Sequence, residues 1–393
     1  MTAPEEARFQ LNPTVRWLFA ATLALMGIGL LMVYSAGMSA DPNERFVMFH
    51  RQVVFVPLAV VVLLVAMRLP YGWLNRWYVV LGFLAVTVVL LVAVLKFGAV
   101  VNGARRWFRF SLGPFDVSVQ PSELAKLSLI VCFAWFLSRP QEQVRSFFRG
   151  FVPLTIVLGL VCGLVAIQDL GTAVLLGAIG GAMMIVGGVC WWHMATLVPP
   201  TAAAMYALIA FYPYRLTRLL TYLDPWKDAQ DSGYHVTQSL MAIGSGGWFG
   251  RGLGQGMQKL GHLPEDTTDF IFSVISEEMG FVGGVMVILL FTTVVLLGLR
   301  VVGRSENRFA MLVSLGIALW IGLQAAINIG VATAALPTKG IALPLVSYGG
   351  SGLVLTAAAL GLLMSVAART PYLNAADGAP SPRELSLAGM QAA

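Results

Sequence analysis

Apolar runs long enough to cross a lipid bilayer recur about ten times along this chain, and they constrain its fold more than any other feature. They fall near 17–36, 53–69, 78–95, 123–138, 151–167, 171–188, 190–211, 270–299, 309–335 and 345–368. In lipid, each backbone N–H and C=O must be satisfied without water, so such runs become helices. The composition agrees. Hydrophobic residues make up 58% of the chain and charged residues 11%, against about 25% charged in a soluble domain. The expected fold class is therefore all-α: a polytopic integral membrane protein of about ten helices. No internal repeat is visible, which argues against a transporter built from inverted halves. The first run follows Arg8 and Arg16 and is long for a signal-peptide core. It reads as the first span, although Ser35, Ala36 and Gly37 would permit cleavage.

The net charge of +6 is the usual Lys/Arg excess of membrane-protein loops. No basic stripe of the kind nucleic acid requires is present. Cys132, Cys162 and Cys190 lie inside apolar runs and read as small buried hydrophobes, with no disulfide or zinc spacing. His50, His193, His235 and His262 are scattered, which argues against a metal cluster. Lys and Arg in short loops favour both termini in the cytoplasm. The expected organisation is a cytoplasmic lead at 1–16, a membrane domain at 17–368 and a disordered cytoplasmic tail at 369–393. One outer loop, 96–122, holds Lys96, Arg105, Arg106 and Arg109 against the rule, and most acids also fall outside. The segment 212–268, between the seventh and eighth spans, is too long for a connector, and loops of that length usually carry function.

Four constellations carry chemistry. In Asn102-Gly103-Ala104-Arg105-Arg106-Trp107-Phe108-Arg109, aromatics beside arginines suit a membrane interface. The same arginines offer planar forks for phosphate oxygens. In Gln120-Pro121-Ser122-Glu123-Leu124-Ala125-Lys126, Ser122 reads as a helix N-cap, and Glu123 and Lys126 share a face. They form either a structural ion pair or a functional one, since ionisable groups in membrane helices are costly. In Leu263-Pro264-Glu265-Asp266-Thr267-Thr268-Asp269-Phe270, Asp269 stands at a helix start as a cap, a general base or a metal ligand. Glu277 or Glu278, two to three turns further in, would face the same cavity, while Gly280 and Gly284 permit close helix packing. Gln324 and Asn328, one turn apart, read as interhelical hydrogen bonders. The glycines of Ser347-Tyr348-Gly349-Gly350-Ser351-Gly352 lack the Gly-Lys-Ser/Thr ending of a phosphate loop and read as a helix start packed closely on its neighbours.

These blocks resemble the SEDS family of shape, elongation, division and sporulation proteins, over roughly 15–369. Besides the motifs above, the resemblance runs through Asp224-Pro225-Trp226, Gly233-Tyr234-His235, the run from Gln238 to Gly247, and Thr268-Asp269-Phe270-Ile271-Phe272. Pro337-Thr338-Lys339-Gly340 resembles the division branch rather than the elongation branch. Two stretches depart from the family pattern. Asp169 lacks the proline that usually precedes it, and Asp266 and Thr267 replace residues that are often Ala and His.

The resemblance implies a peptidoglycan glycosyltransferase of the bacterial cytoplasmic membrane, at the division septum. It would polymerise lipid II on the outer face, inverting the anomeric centre and releasing polyprenyl pyrophosphate. Asp269 would be the base or organise it, and Arg105, Arg106, Lys126 and Lys339 would stabilise pyrophosphate charge. Glu123 would position Lys126. A divalent cation, Mg or Mn, would assist at Asp269. Implied partners are a class B penicillin-binding protein transpeptidase and other division-complex membrane proteins. A lipid II flippase and a non-enzymatic scaffold are the rival readings. The crowding of ionisable residues in the outer half speaks against a path across the whole bilayer.

Overall fold

The computed structural model describes residues 9–36, 42–101, 103–112, 115–211, 222, 224–228, 230, 233–257 and 267–371. Helices α1 (Pro13–Ala36), α2 (Pro42–Arg68) and α3 (Trp77–Phe97) occupy the first three expected spans. They are followed by α4 (Pro121–Leu137), α5 (Gln141–Arg145), α6 (Val152–Ala166) and α7 (Leu170–Val186). Next come α8 (Trp191–Ala195) and α9 (Val198–Phe211), then α10 (Tyr234–Ser245) within the long segment. The chain closes with α11 (Ile271–Arg304), α12 (Arg308–Ala332) and α13 (Gly350–Ala368). Among the described residues, seven helices are long and apolar enough to cross a membrane, and α7 is a shorter apolar helix. The protein is a polytopic helical membrane protein.

Three expectations change. The seventh span is not one helix but α8 and α9. Pro199 and Pro200 stand in the first turn of α9, and neither has an N–H to continue a helix from α8. The eighth span is broken at Gly280, whose φ of 67° and ψ of −166° are not helical. A Cβ there would lie 2.3 Å from the Gly250 nitrogen, so Gly280 admits a neighbouring loop rather than a second helix. The all-α expectation also omits a small sheet. Strands β1 (Ala99–Val101), β2 (Ala104–Leu112) and β3 (Phe115–Val119) form an antiparallel meander. Its Val and aromatic content suits strands, and Gly103, at φ 76°, makes the first turn.

The long segment is ordered in part. Ser239 on α10 donates to the Ala332 carbonyl at 2.6 Å, and the His235 ring stacks on Phe270 with centroids 6.0 Å apart. The helix therefore buttresses the start of α11. Glu265, Asp266 and His262 lie outside the described residues, as do 1–8 and most of the expected tail.

The described ends of the chain meet. Gln10 N donates to Ala368 O at 3.0 Å, and Asn12 Nδ2 donates to Ala367 O at 2.8 Å. Arg369 is buried and donates to Arg68 O at 2.7 Å and to Ser365 Oγ at 2.6 Å. The packed chain thus runs past 368, because a buried guanidinium must find acceptors. Residues 13–16 likewise belong to α1 rather than to a separate lead. Helix α13 has 19 residues. At 1.5 Å per residue it spans about 28 Å, which sets its Gly350 end on the side opposite the termini.

Candidate active site

Five pieces of chain converge at that far end: the start of α4, strand β2, the start of α7, the turn before α11, and the irregular stretch before α13. They enclose a cavity of about 210 Å³ lined by Arg106, Glu123, Lys126, Asp169 and Asp269, among others.

Helix α4 begins with Pro121 at its first position, behind Gln120 as N-cap. Ser122 is thus not the cap; its hydroxyl accepts from Gln120 Nε2 at 2.9 Å. Proline's fixed φ suits the first helical position, which moves the boundary two residues earlier. Glu123 and Lys126 share a face as expected, with Nζ 2.7 Å from Oε1. Lys126 is only 1% exposed. Its ammonium also donates to Gln324 Oε1 at 2.8 Å and sits 4.8 Å from the centre of the Trp320 ring. Three partners replace the water that burial removed.

Asp269 lies one residue before the α11 N-cap, Phe270. Its backbone is stapled in place. Asn328 Nδ2 donates to Asp269 O at 2.8 Å, Ser347 Oγ to Thr268 O at 2.5 Å, and Tyr348 N to Thr267 O at 2.9 Å. The carboxyl group reaches past Gly340. A Cβ on Gly340 would lie 2.9 Å from Asp269 Oδ2 and 3.9 Å from Arg106 Nη1, so the acid and the guanidinium flank one glycine. Leu345, nearby in the same irregular stretch, holds a left-handed φ of 65°. Such strain costs about 1–3 kcal/mol and concentrates at functional sites.

Arg105 and Arg106 are separated by a bulge. Val100 pairs with Arg105 and Ala99 with Trp107, so Arg106 has no partner across the strand. A bulge re-aims side chains. Here Arg106 and Trp107 both line the cavity, although neighbours on a regular strand face opposite ways. Arg106 Nε donates to Gln168 O at 2.8 Å, and its Nη1 lies 4.0 Å from Asp169 Oδ2. Arg105 turns away. It is exposed, its guanidinium donates to Lys96 O at 2.5 Å, and it borders an apolar crevice beside Leu91 and Val94. Lys339 is half-buried next to Gly340 and is not among the cavity-lining residues.

Glu277 and Glu278 do not line the cavity. Both are buried in the body of α11, at 0% and 1% exposure. Glu277 Oε1 accepts from Met257 N at 2.7 Å. Glu278 accepts from Gly254 N at 3.0 Å and from Ser35 Oγ at 2.6 Å. The helical rotation of two to three turns from Asp269 carries them to another flank. Among the described residues no three His, Cys, Asp or Glu side chains gather as a metal would need.

Two features escaped the sequence reading. Asp169 is the N-cap of α7: its Oδ1 accepts from Thr172 N at 3.0 Å and its Oδ2 from Thr172 Oγ1 at 2.9 Å. The spacing Asp169…Thr172 before an apolar run was a readable cap signal. Gln324 and Asn328 bond not only helix to helix but helix to loop: Gln324 Nε2 donates to Ala342 O and Asn328 Nδ2 to Ile341 O, both at 2.8 Å. A loop folded between helices leaves no periodic trace in sequence.

Fold and cavity define a class: a many-helix membrane protein with an acid and paired cations gathered at one end of the bundle. The model of the FtsW, RodA and SpoVE family, described as "Cell cycle protein", matches residues 16–372. The chain belongs to that family, the one its motifs resemble. It is 41% identical over 360 residues to the "Probable peptidoglycan glycosyltransferase FtsW" of Aliivibrio salmonicida, covering 89% of this chain and 88% of that protein. It is 39% identical over 355 residues to the "Stage V sporulation protein E" of Bacillus subtilis, covering 89% and 96%. A solved structure described as "Structural coordination of polymerization and crosslinking by a peptidoglycan synthase complex" superposes with a TM-score of 0.74 at 29% identity, covering 89% of this chain and 96% of that one. The rod shape determining protein RodA of Thermus thermophilus superposes with a TM-score of 0.63 at 29% identity, covering 90% and 96%.

Proposed function

We propose that this chain is a peptidoglycan glycosyltransferase of the division branch, polymerising lipid II into septal glycan strands. The observation that carries the reading is one cavity of about 210 Å³ that holds an acid, Asp269, with the cations Lys126 and Arg106. Lys and Arg in the short loops favour cytoplasmic termini. The cavity, at the other end of the bundle, then opens at the outer surface, where a lipid-linked sugar presents its reactive end.

The reaction joins an acceptor sugar hydroxyl to the anomeric carbon of a donor sugar. Asp269 takes the hydroxyl proton as the new C–O bond forms. The bond to the pyrophosphate breaks on the opposite face, inverting the centre. Lys126 and Arg106 stabilise the charge that develops on the departing pyrophosphate. Glu123 aims Lys126. Arg105 and Lys339 lie outside the cavity lining and would serve the lipid pyrophosphate as further cations only beyond it. A divalent cation, Mg or Mn, would assist at Asp269, and no step above depends on it. The glycosyltransferase names of the relatives support the chemistry. The solved peptidoglycan synthase complex, which couples polymerization to crosslinking, supports a class B penicillin-binding protein as partner, with other division-complex membrane proteins around it.

The test is polymerisation of lipid II in detergent by pure protein, with and without that partner. A positioned base contributes about 10²–10⁴-fold, so Asp269→Ala should nearly abolish synthesis in a protein that still folds. Near-normal glycan from that variant would remove Asp269 from the mechanism, and wild type that moves lipid II across vesicles without polymerising it would favour a flippase.

A further inference from the structure

Resting on the glycosyltransferase reading, we propose that Gln324 is a positioning residue that, with Asn328, sets the spacing between the Lys126 ammonium and the Asp269 acid. Gln324 is 4% exposed, and both ends of its amide are in use. Its Oε1 accepts from Lys126 Nζ at 2.8 Å and from Trp320 Nε1 at 2.7 Å. Its Nε2 donates to Ala342 O at 2.8 Å. One turn on, Asn328 is 1% exposed, and its Nδ2 donates at 2.8 Å to both Ile341 O and Asp269 O.

Two side chains on one face of α12 thus grip consecutive loop carbonyls, Ile341 and Ala342. One holds the cation of α4, and the other holds the backbone of the acid. Helix α12 is a rigid bar of 25 residues, so the offset between its two amides fixes the offset between the two reacting groups. Trp320 closes the arrangement: its indole N–H fills the remaining lone pair of Gln324, which fixes the amide's orientation, and its ring lies against the ammonium. Glu123 alone would hold Lys126 only from its own helix, where the pair could rotate together. The Gln324 contact ties the ammonium to the part of the molecule that carries Asp269. A structural tether would have needed only the Ala342 bond. The acceptor turned to Lys126 makes it a positioning group.

Gln324→Met keeps the volume and removes every polar contact. Misplacing a reacting group by about 1 Å can cost about 10²-fold, so kcat for lipid II polymerisation should fall roughly tenfold to a hundredfold, with KM within about twofold. In a Lys126→Met background the same substitution should cost less than about twofold, because its effect acts through that ammonium. Independent, multiplying effects, or a raised KM at unchanged kcat, would overturn the proposal. Should Gln324→Met not fold, Gln324→Glu replaces it. That side chain still accepts from Lys126 but offers Ala342 no donor, so kcat should stay within about threefold of wild type, and a loss of about tenfold or more would place the effect at the Ala342 bond and overturn the proposal. Wild type that makes no glycan would sink the glycosyltransferase reading instead. The positioning role is then read by hydrogen exchange, where Gln324→Met should speed exchange of amides 341–348 and leave the helices unchanged. Unaltered exchange there would overturn it.

Discussion

Helix α11 carries acids in two places, and they live in opposite surroundings. Asp269, just before the helix, is half-buried and turned into a cavity shared with Arg106 and Lys126. Glu277 and Glu278, inside the helix, are sealed from solvent and accept from backbone N–H groups and a serine hydroxyl. Gly256 presses on both: a Cβ there would lie 3.0 Å from Glu277 Oε2 and 3.0 Å from Glu278 Oε1. Around Asp269 there is room for a second molecule. Around the glutamates the loop 246–257 already fills the space, with Arg251 N and Gly252 N donating to the Glu277 and Glu278 carbonyls at 3.0 Å each. On the proposed reading, the same chemical group is a reagent where a cavity and cations meet it, and a strut where fixed donors surround it.

Substituting each acid in turn separates the two roles. Asp269→Asn cannot take a proton, so polymerisation should fall about 10²–10⁴-fold while the thermal midpoint stays unchanged. Retained activity there would make the cavity acid a structural group like its neighbours. Next in size is Gly340→Ala. The added methyl meets Asp269 Oδ2 at 2.9 Å. Displacing the carboxylate should cost about tenfold in kcat, read in the same assay, with a normal melting curve. A drop in stability with full activity would show that Gly340 serves the loop rather than the acid.

On the strut side the expected signature reverses. Glu278→Ala strands the Gly254 N–H and the Ser35 hydroxyl, and a buried orphan group costs about 1–3 kcal/mol. Thermal or denaturant melting in detergent should report that loss, with polymerisation per folded molecule within about twofold. Loss of turnover at full stability would move Glu278 into the chemistry. The smallest effect belongs to Glu277→Gln. The amide oxygen still accepts from Met257 N, so stability should shift by less than about 1 kcal/mol and activity should hold. A large change would mean that the charge itself matters at that site.

How much of this was legible varies by region. The apolar runs gave the membrane helices, because lipid permits little else. The spacing of Glu123 and Lys126 gave their pairing, because residues three apart on a helix share a face. The motifs singled out Asp269 and the arginines without saying which arginine faces inward. That depended on a bulge that leaves Arg106 unpaired, and single-residue register shifts leave no mark in a strand's composition. Both glutamates were read as candidates for the cavity because each is an acid in a membrane helix. The loop that encloses them instead lies about 20–30 residues earlier in the chain.

The sequence by itself determined the class of fold, the family, the acid before α11 and the ion pair on α4. Each of these is local, fixed by hydrophobicity, helical spacing or an unbroken motif. Only the tertiary structure decided which charges share a cavity, that Gln324 joins the cation of one helix to the loop beside the acid, and that two buried glutamates hold a loop in place. Those outcomes rest on contacts between residues far apart in the chain, where packing and the need to satisfy buried polar groups decide the partners.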